Sequence, residues 1–212
     1  WDQFPSYFGA ERVGTFASQL FRWGLSAMAR WDAATAHRAD RYVAISRHVA
    51  DRIQRYYNRP STVIYPPVDT IFFKPGQQPI ESYFLVVSAL VPYKHIEIAI
   101  QACTIAQVPL HIVGDGPDRL RLQALAGPNV TFLGALSNEG VRRQYQRATA
   151  FLFPGNEDFG IAPVEAQACG RPVIALSAGG ALETVIHNKT GILVDEASDS
   201  AFADAITHTL QQ

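Results

Sequence analysis

The sequence predicts an α/β fold, a doubly wound parallel sheet with helices on both faces, preceded by a smaller helix-rich piece. Three observations predict it. From Tyr83 onward, short apolar runs alternate with longer helical segments, the pattern of parallel strands joined by crossover helices. Between Thr70 and Pro79 all periodicity is lost, and Pro75, Gly76 and Pro79 mark a linker. One stretch, Phe151 to Gly170, reads as a complete strand, turn and helix.

Residues 1–69 come first. Ala17 to Trp31 predicts a helix carrying Leu20, Phe21, Trp23, Leu25 and Met28, with Arg22 and Arg30 among them. A basic, aromatic helix of this kind can lie on a membrane surface, but more often presents a face covered by neighbouring chain. Arg41 to Ile45 predicts a strand, Ser46 an N-cap, and the residues to Tyr57 a helix that Asn58-Arg-Pro-Ser ends. Thr62 to Tyr65 predicts a second strand, stiffened at its exit by Pro66 and Pro67. With 70–82 taken as the linker, the main lobe runs over 83–212. Its strands are expected at 83–88, 110–113, 130–133, 150–153, 172–175 and 192–194, and its helices at 94–106, 118–126, 138–147, 162–169, 181–187 and 200–210.

Open parallel sheets bind ligands beyond the carboxyl ends of their strands. The loops expected there are 89–94, 114–117, 134–137, 154–161 and 177–180. Lys94 closes the first, placed to neutralise a phosphate as a point charge. Gly114-Asp-Gly-Pro117 is half of a dinucleotide fingerprint without its third glycine, and alone says little. Ser177-Ala-Gly-Gly180 suits either close approach to a ligand or a tight turn.

The stretch from Phe151 carries the most chemistry. Ala150 to Phe153 is a buried strand, Pro154-Gly-Asn156 breaks it, and a helix starts near Ala162 with Pro163 in its first turn. Gly170 is placed as a C-terminal cap, with Pro172 behind it. Glu157 falls in the turn and Glu165 in the helix, seven residues between them. The amides of Phe159, Gly160 and Ile161 lead into a helix N-terminus, which suits a phosphate. Glu165 is then placed to accept from two adjacent hydroxyls of a ribose. Spacing alone leaves two solvated glutamates as a competing reading.

Composition narrows the classes. Among 212 residues, 48% are hydrophobic and 17% charged, with net charge −1, so nothing argues for nucleic acid. Cys103 and Cys169 lack zinc or redox spacing and read as buried thiols of a reducing compartment. No Asp-x-Asp pair or His/Asp/Glu cluster has metal spacing, and Gly-x-Ser-x-Gly and P-loop motifs are absent, so no metal and neither of those enzyme types is expected. His95, beside Lys94, is a lesser phosphate candidate; the other five histidines are assigned to surface or packing. No signal peptide or bilayer-length apolar run is visible. The chain opens on Trp1 in what reads as mid-domain, and is expected to be part of a longer protein.

Together, Val87-Ser-Ala-Leu-Val-Pro-Tyr-Lys94, Val113-Gly-Asp-Gly-Pro117, Phe132-Leu-Gly134, Phe153-Pro-Gly-Asn-Glu-Asp-Phe-Gly160 with Glu165, and Gly170-Arg-Pro-Val-Ile174 resemble the retaining GT-B glycosyltransferases of family 4. The glutamate pair matches that family's E-x7-E signature, and Tyr65-Pro-Pro-Val-Asp69 looks like its entry to the interdomain linker. The resemblance implies two Rossmann-like lobes. Residues 1–69 would be the end of the acceptor lobe, and 83–212 nearly all of the donor lobe. It further implies that Lys94 contacts the donor diphosphate, Glu157 the sugar hydroxyls and Glu165 the ribose. Phe159, Gly160 and Ile161 would face the phosphate or sugar, while Ser88, Gly114, Asp115, Gly116 and Leu136 would border the donor. Ala89 departs from the pattern, because many members carry an arginine there; His95 or a first-lobe residue would have to substitute.

The wording most resembles a bacterial branch using GDP-mannose. It implies a cytoplasmic, metal-independent transferase without a cofactor, acting on a glycan or lipid-linked acceptor with peripheral membrane contact. In such enzymes the leaving phosphate is thought to take the acceptor proton. Two alternatives stay open: a GT-B enzyme of other chemistry, such as a nucleotide-sugar epimerase or a phosphorylase, and a donor-binding piece inactive by itself. A nicotinamide oxidoreductase is disfavoured by the incomplete glycine fingerprint.

Overall fold

The two central strands of the main lobe, at 84–87 and 150–153, are apolar on both sides, and each side has its own helices to bury it. A computed structural model describes residues 14–211. It divides into two units, one ending at Tyr65 and the other beginning at Pro66.

In the first unit, α1 (Thr15–Thr35) is longer than its apolar pattern predicts. Phe16, Trp23 and Trp31 along it are largely exposed. Strands β1 (Tyr42–Ala44) and β2 (Ser61–Val63) pair in parallel around α2 (Arg47–Tyr57). Ser46 caps α2 by accepting from the amide of Val49 at 3.0 Å, and Asn58 ends it in the left-handed conformation at φ 49°. The Tyr57 hydroxyl donates to Asp32 at 2.6 Å, tying α2 to α1. No described helix is long and apolar enough to cross a membrane.

The second unit holds a six-stranded, wholly parallel sheet: β3 (Phe84–Val87), β4 (Leu110–Val113), β5 (Val130–Gly134), β6 (Ala150–Phe153), β7 (Val173–Leu176) and β8 (Gly191–Val194). Its order is β5-β4-β3-β6-β7-β8, so the chain starts at the centre, builds one edge, returns and builds the other. This is the expected α/β class. The connecting helices are α3 (Ile96–Ile105), α4 (Arg119–Leu125), α5 (Asn138–Arg147), α6 (Ile161–Ala168) and α7 (Ala181–Thr184), with α8 (Asp199–Leu210) closing the lobe.

Strand alternation sends side chains into two cores. Phe84, Val86, Leu110, Ile112 and Leu152 pack under α3, α4 and α8, against Ile100, Leu122 and Phe202. Leu85, Phe151, Phe153 and Val173 pack the opposite way, against Tyr145 of α5, Ala166 of α6 and Val185. Cys103 and Cys169 are free and buried, one in each core. Burial pushes the Cys103 thiol up to about 12 and, with the nearby Glu165 carboxylate, the Cys169 thiol up to about 11, so both are unreactive at neutral pH.

Two elements differ from expectation. The predicted helix at 94–106 is a 3₁₀ turn over Pro92–Lys94 followed by α3, because His95 sits at φ 51° and breaks the run. The helix expected to reach 187 stops at Thr184, since Val185 turns extended and inward to fill the core. The stretch at 70–82 lies within the second unit and docks on its α5 helix. Phe73 meets the Tyr145 ring edge-on at 5.9 Å, and Gln146 donates to the carbonyl of Lys74 at 2.7 Å. Nothing in its composition announces that docking.

Candidate functional site

Reversal of strand order puts β3 and β6 side by side while their following loops depart in opposite directions, which opens a crevice at their carboxyl ends. Ser88, Lys94, Gly155 and Glu157 line a cavity there with Val87 and Phe153. Lys94 ends the 3₁₀ turn, and its ammonium lies 2.5 Å from Glu157 Oε1 and 5.1 Å from the centre of the Tyr93 ring. Both charged side chains are mostly enclosed, 16% and 18% exposed.

Glycines hold the loops against one another. A Cβ on Gly155 would press on the backbone of Lys94 at 3.1–3.2 Å. A Cβ on Gly180 would collide with the backbone of Phe159, and the amide of Gly180 donates to the Glu157 carbonyl at 2.8 Å. Close approach at Ser177–Gly180 is therefore to the Glu157 loop, a third choice beside the two that the sequence offered. Gly114 (φ 128°) and Gly116 likewise leave room for the backbones of Ser88 and Leu90.

The remaining expected residues are spread along the crevice. Ser88 donates its hydroxyl to the carbonyl of Ala89 at 3.1 Å, and Ala89 itself is exposed. Asp115 accepts from the amide of Gly116 at 2.8 Å and from Arg119 at 3.0 Å. Leu136 is exposed at the start of the β5–α5 connection. Phe159 is buried, Gly160 caps α6 at φ 83°, and Ile161 opens the helix exposed. The amides of the first turn of α6 have no intrahelical acceptor, so this end of the helix is electropositive.

Glu165 sits apart from the Lys94–Glu157 pair. It projects from α6 toward α5, where the Tyr145 hydroxyl donates to its Oε2 at 3.1 Å. Burial raises the Glu165 carboxyl above its ordinary value of 4.5, and the hydrogen bond from Tyr145 opposes that rise. Tyr145 was not anticipated. Its burial was readable from the inward spacing of Val141, Tyr145 and Ala148 along a helix, but its pairing with Glu165 depends on how α5 meets α6. His95 turns away: its Nδ1 lies 3.3 Å from Glu97. Glu97 also accepts from Arg121 at 3.0 Å. Burial alone would raise the Glu97 carboxyl, but the hydrogen bonds from His95, its own amide and Arg121 hold it down at about 2. Among the described residues no group of three or more His, Cys, Asp or Glu side chains is placed to hold a metal ion.

The sequence profile described as glycosyl transferases group 1 matches residues 67–212, and that described as glycosyltransferase family 4 matches 8–72. A GDP-mannose-dependent alpha-mannosyltransferase of Mycolicibacterium smegmatis is 34% identical over 142 residues, 66% of this chain and 37% of the relative. A GDP-mannose-dependent alpha-(1-6)-phosphatidylinositol monomannoside mannosyltransferase of Mycobacterium tuberculosis is 31% identical over 200 residues, covering 78% of this chain and 51% of its own length. The chain thus spans about half or less of the curated relatives it matches. Among solved structures, Anabaena HepE in complex with UDP and glucose superposes with a TM-score of 0.78 at 25% identity, over 87% of this chain and 57% of that one.

Proposed function

The chain belongs to the glycosyl transferases group 1 family, and from that premise we propose that it binds the nucleotide-sugar donor of a retaining, metal-independent glycosyltransferase. The donor is GDP-mannose, and the sugar passes to a glycan or lipid-linked acceptor. The observation that carries this reading is the enclosed Lys94–Glu157 pair at the β3/β6 crevice, next to the N-terminus of α6.

In this reading the donor diphosphate lies between the Lys94 ammonium and the first-turn amides of α6. Transfer breaks the bond from the anomeric carbon to the diphosphate, so negative charge gathers on the leaving group while positive charge develops on the ring. Cationic and amide donors aimed at that growing charge favour the transition state over the ground state. Glu157, released from Lys94 as the phosphate arrives, accepts from sugar hydroxyls. Glu165 accepts from the ribose. The mannose and guanine assignments are supported by the names of the mycobacterial relatives, whereas the solved neighbour carries UDP.

Calorimetric titration with GDP, UDP and GDP-mannose, repeated on Lys94→Ala and Glu165→Ala, tests the donor site. Selective GDP binding weakened in both variants is expected. No nucleotide binding by folded protein would overturn it. Incubation of GDP-mannose with and without an acceptor then separates transfer from isomerisation of the donor.

A further inference from the structure

Tyr145 has no part in the chemistry just described, yet it makes the only side-chain hydrogen bond to Glu165 among the described residues. Its ring is completely buried, clamped edge-on by Phe73 at 5.9 Å and Phe151 at 5.6 Å. A ring held from two sides has no freedom to move its hydroxyl, so the donor's position is set by the packing of α5 on β6. An ionised carboxylate offers about four acceptor sites on its two oxygens. Tyr145 occupies one on Oε2, and Oε1 has no protein partner among the described residues. The buried hydroxyl also needs this acceptor, because an unsatisfied donor in the core would be costly. The two groups therefore fix each other.

We propose that Tyr145 is the positioning residue for Glu165: it pins one carboxylate oxygen so that the other faces the donor's vicinal ribose hydroxyls, and it thereby sets the preference for a ribonucleotide. This rests on the reading that Glu165 receives the ribose. Tyr145 also favours the ionised carboxylate, the form that accepts hydrogen bonds from two hydroxyls, against the burial that works the other way. The other titratable or charged groups around this corner are Arg142 of α5, Cys169 at the end of α6 and Arg171 just beyond it.

Titration of GDP and UDP, each beside its 2′,3′-dideoxy form, against wild type, Tyr145→Phe, Glu165→Gln and the double variant tests this. Tyr145→Phe keeps the ring and its packing. It is expected to weaken the ribonucleotide about three- to tenfold, the scale of one ordinary net hydrogen bond acting through a second residue, and to leave the dideoxy form unchanged. The double variant should bind no worse than Glu165→Gln alone. The acid limb of ribonucleotide binding should start at higher pH in Tyr145→Phe, since losing the hydroxyl lets the Glu165 carboxyl rise further. Equal losses for both nucleotide forms would mean a purely structural role and would overturn the proposal, as would wild-type affinity in Tyr145→Phe. If Glu165→Gln keeps full ribonucleotide affinity, the ribose reading itself fails, and the proposal with it.

Discussion

Lys94 and Glu157 reach across the seam between β3 and β6 and pair at 2.5 Å, one from a 3₁₀ turn and the other from a glycine-braced loop. The pair is largely sheltered from water, so each charge depends on the other more than a surface ion pair would. Lys94→Ala or Glu157→Ala should each cost about 1–3 kcal/mol in denaturant unfolding, and the double variant less than the sum of the two. Strict additivity would show that the two do not interact in solution.

Gly180 has an ordinary backbone conformation, φ −66°, so only space restricts it. Because a Cβ there strikes the backbone of Phe159, Gly180→Ala is expected to destabilise by about 1–3 kcal/mol and to weaken nucleotide binding by shifting the Glu157 loop. Gly24→Ala, mid-helix in α1 with open space around it, should instead gain up to about 1 kcal/mol. Equal unfolding midpoints for Gly180→Ala and wild type would show that the loop gives way easily.

Glu165 titrates above its ordinary 4.5 in the folded protein because burial disfavours its charge. Its favourable contribution is thus full below about 4.5, where it is protonated folded or unfolded, and is lost as pH rises through the folded value. Glu165→Gln, which stays neutral, should melt higher than wild type at pH 7, with the gap closing toward pH 4. The residue is only half-buried, so the gain is modest. A gap that grows on acidification would reverse the sign argued here.

Ala89 is exposed beside the crevice, where family resemblance leads one to expect a cation. Ala89→Arg should tighten GDP binding about three- to tenfold by adding a charge-assisted contact to the diphosphate, and should make binding more sensitive to salt. Affinity equal to wild type would mean that no cation is missed at this position.

The parallel sheet was legible because each strand is a short apolar run between longer helical segments, and because the α6 helix carries recognisable signals at both ends, Pro163 and Gly170. Lys94 and Glu157 were legible as neighbours because the loops after parallel strands must gather on one edge. What stayed hidden depends on contact between segments distant in sequence. Tyr145 to Glu165 requires the α5–α6 packing, and His95 is claimed by Glu97, whose other partner, Arg121, lies on another helix. The glycines at 114, 116 and 180 invited a ligand-centred interpretation, while the backbone they admit is the protein's own.

The strand order also governs how the lobe comes together in time. All other paired strands are sequence neighbours joined by one crossover, but β3 meets β6 only after two further strands and three helices have intervened. Closing that longest loop carries the largest entropy penalty of any pairing in the sheet, so it is expected to be among the last and slowest steps of folding. Lys94 belongs to the segment on one side of this junction and Glu157 to the other. Neither half-sheet alone contains both charges, and recovery of nucleotide binding during refolding should therefore lag behind recovery of helix signal, reporting the moment when the two halves join.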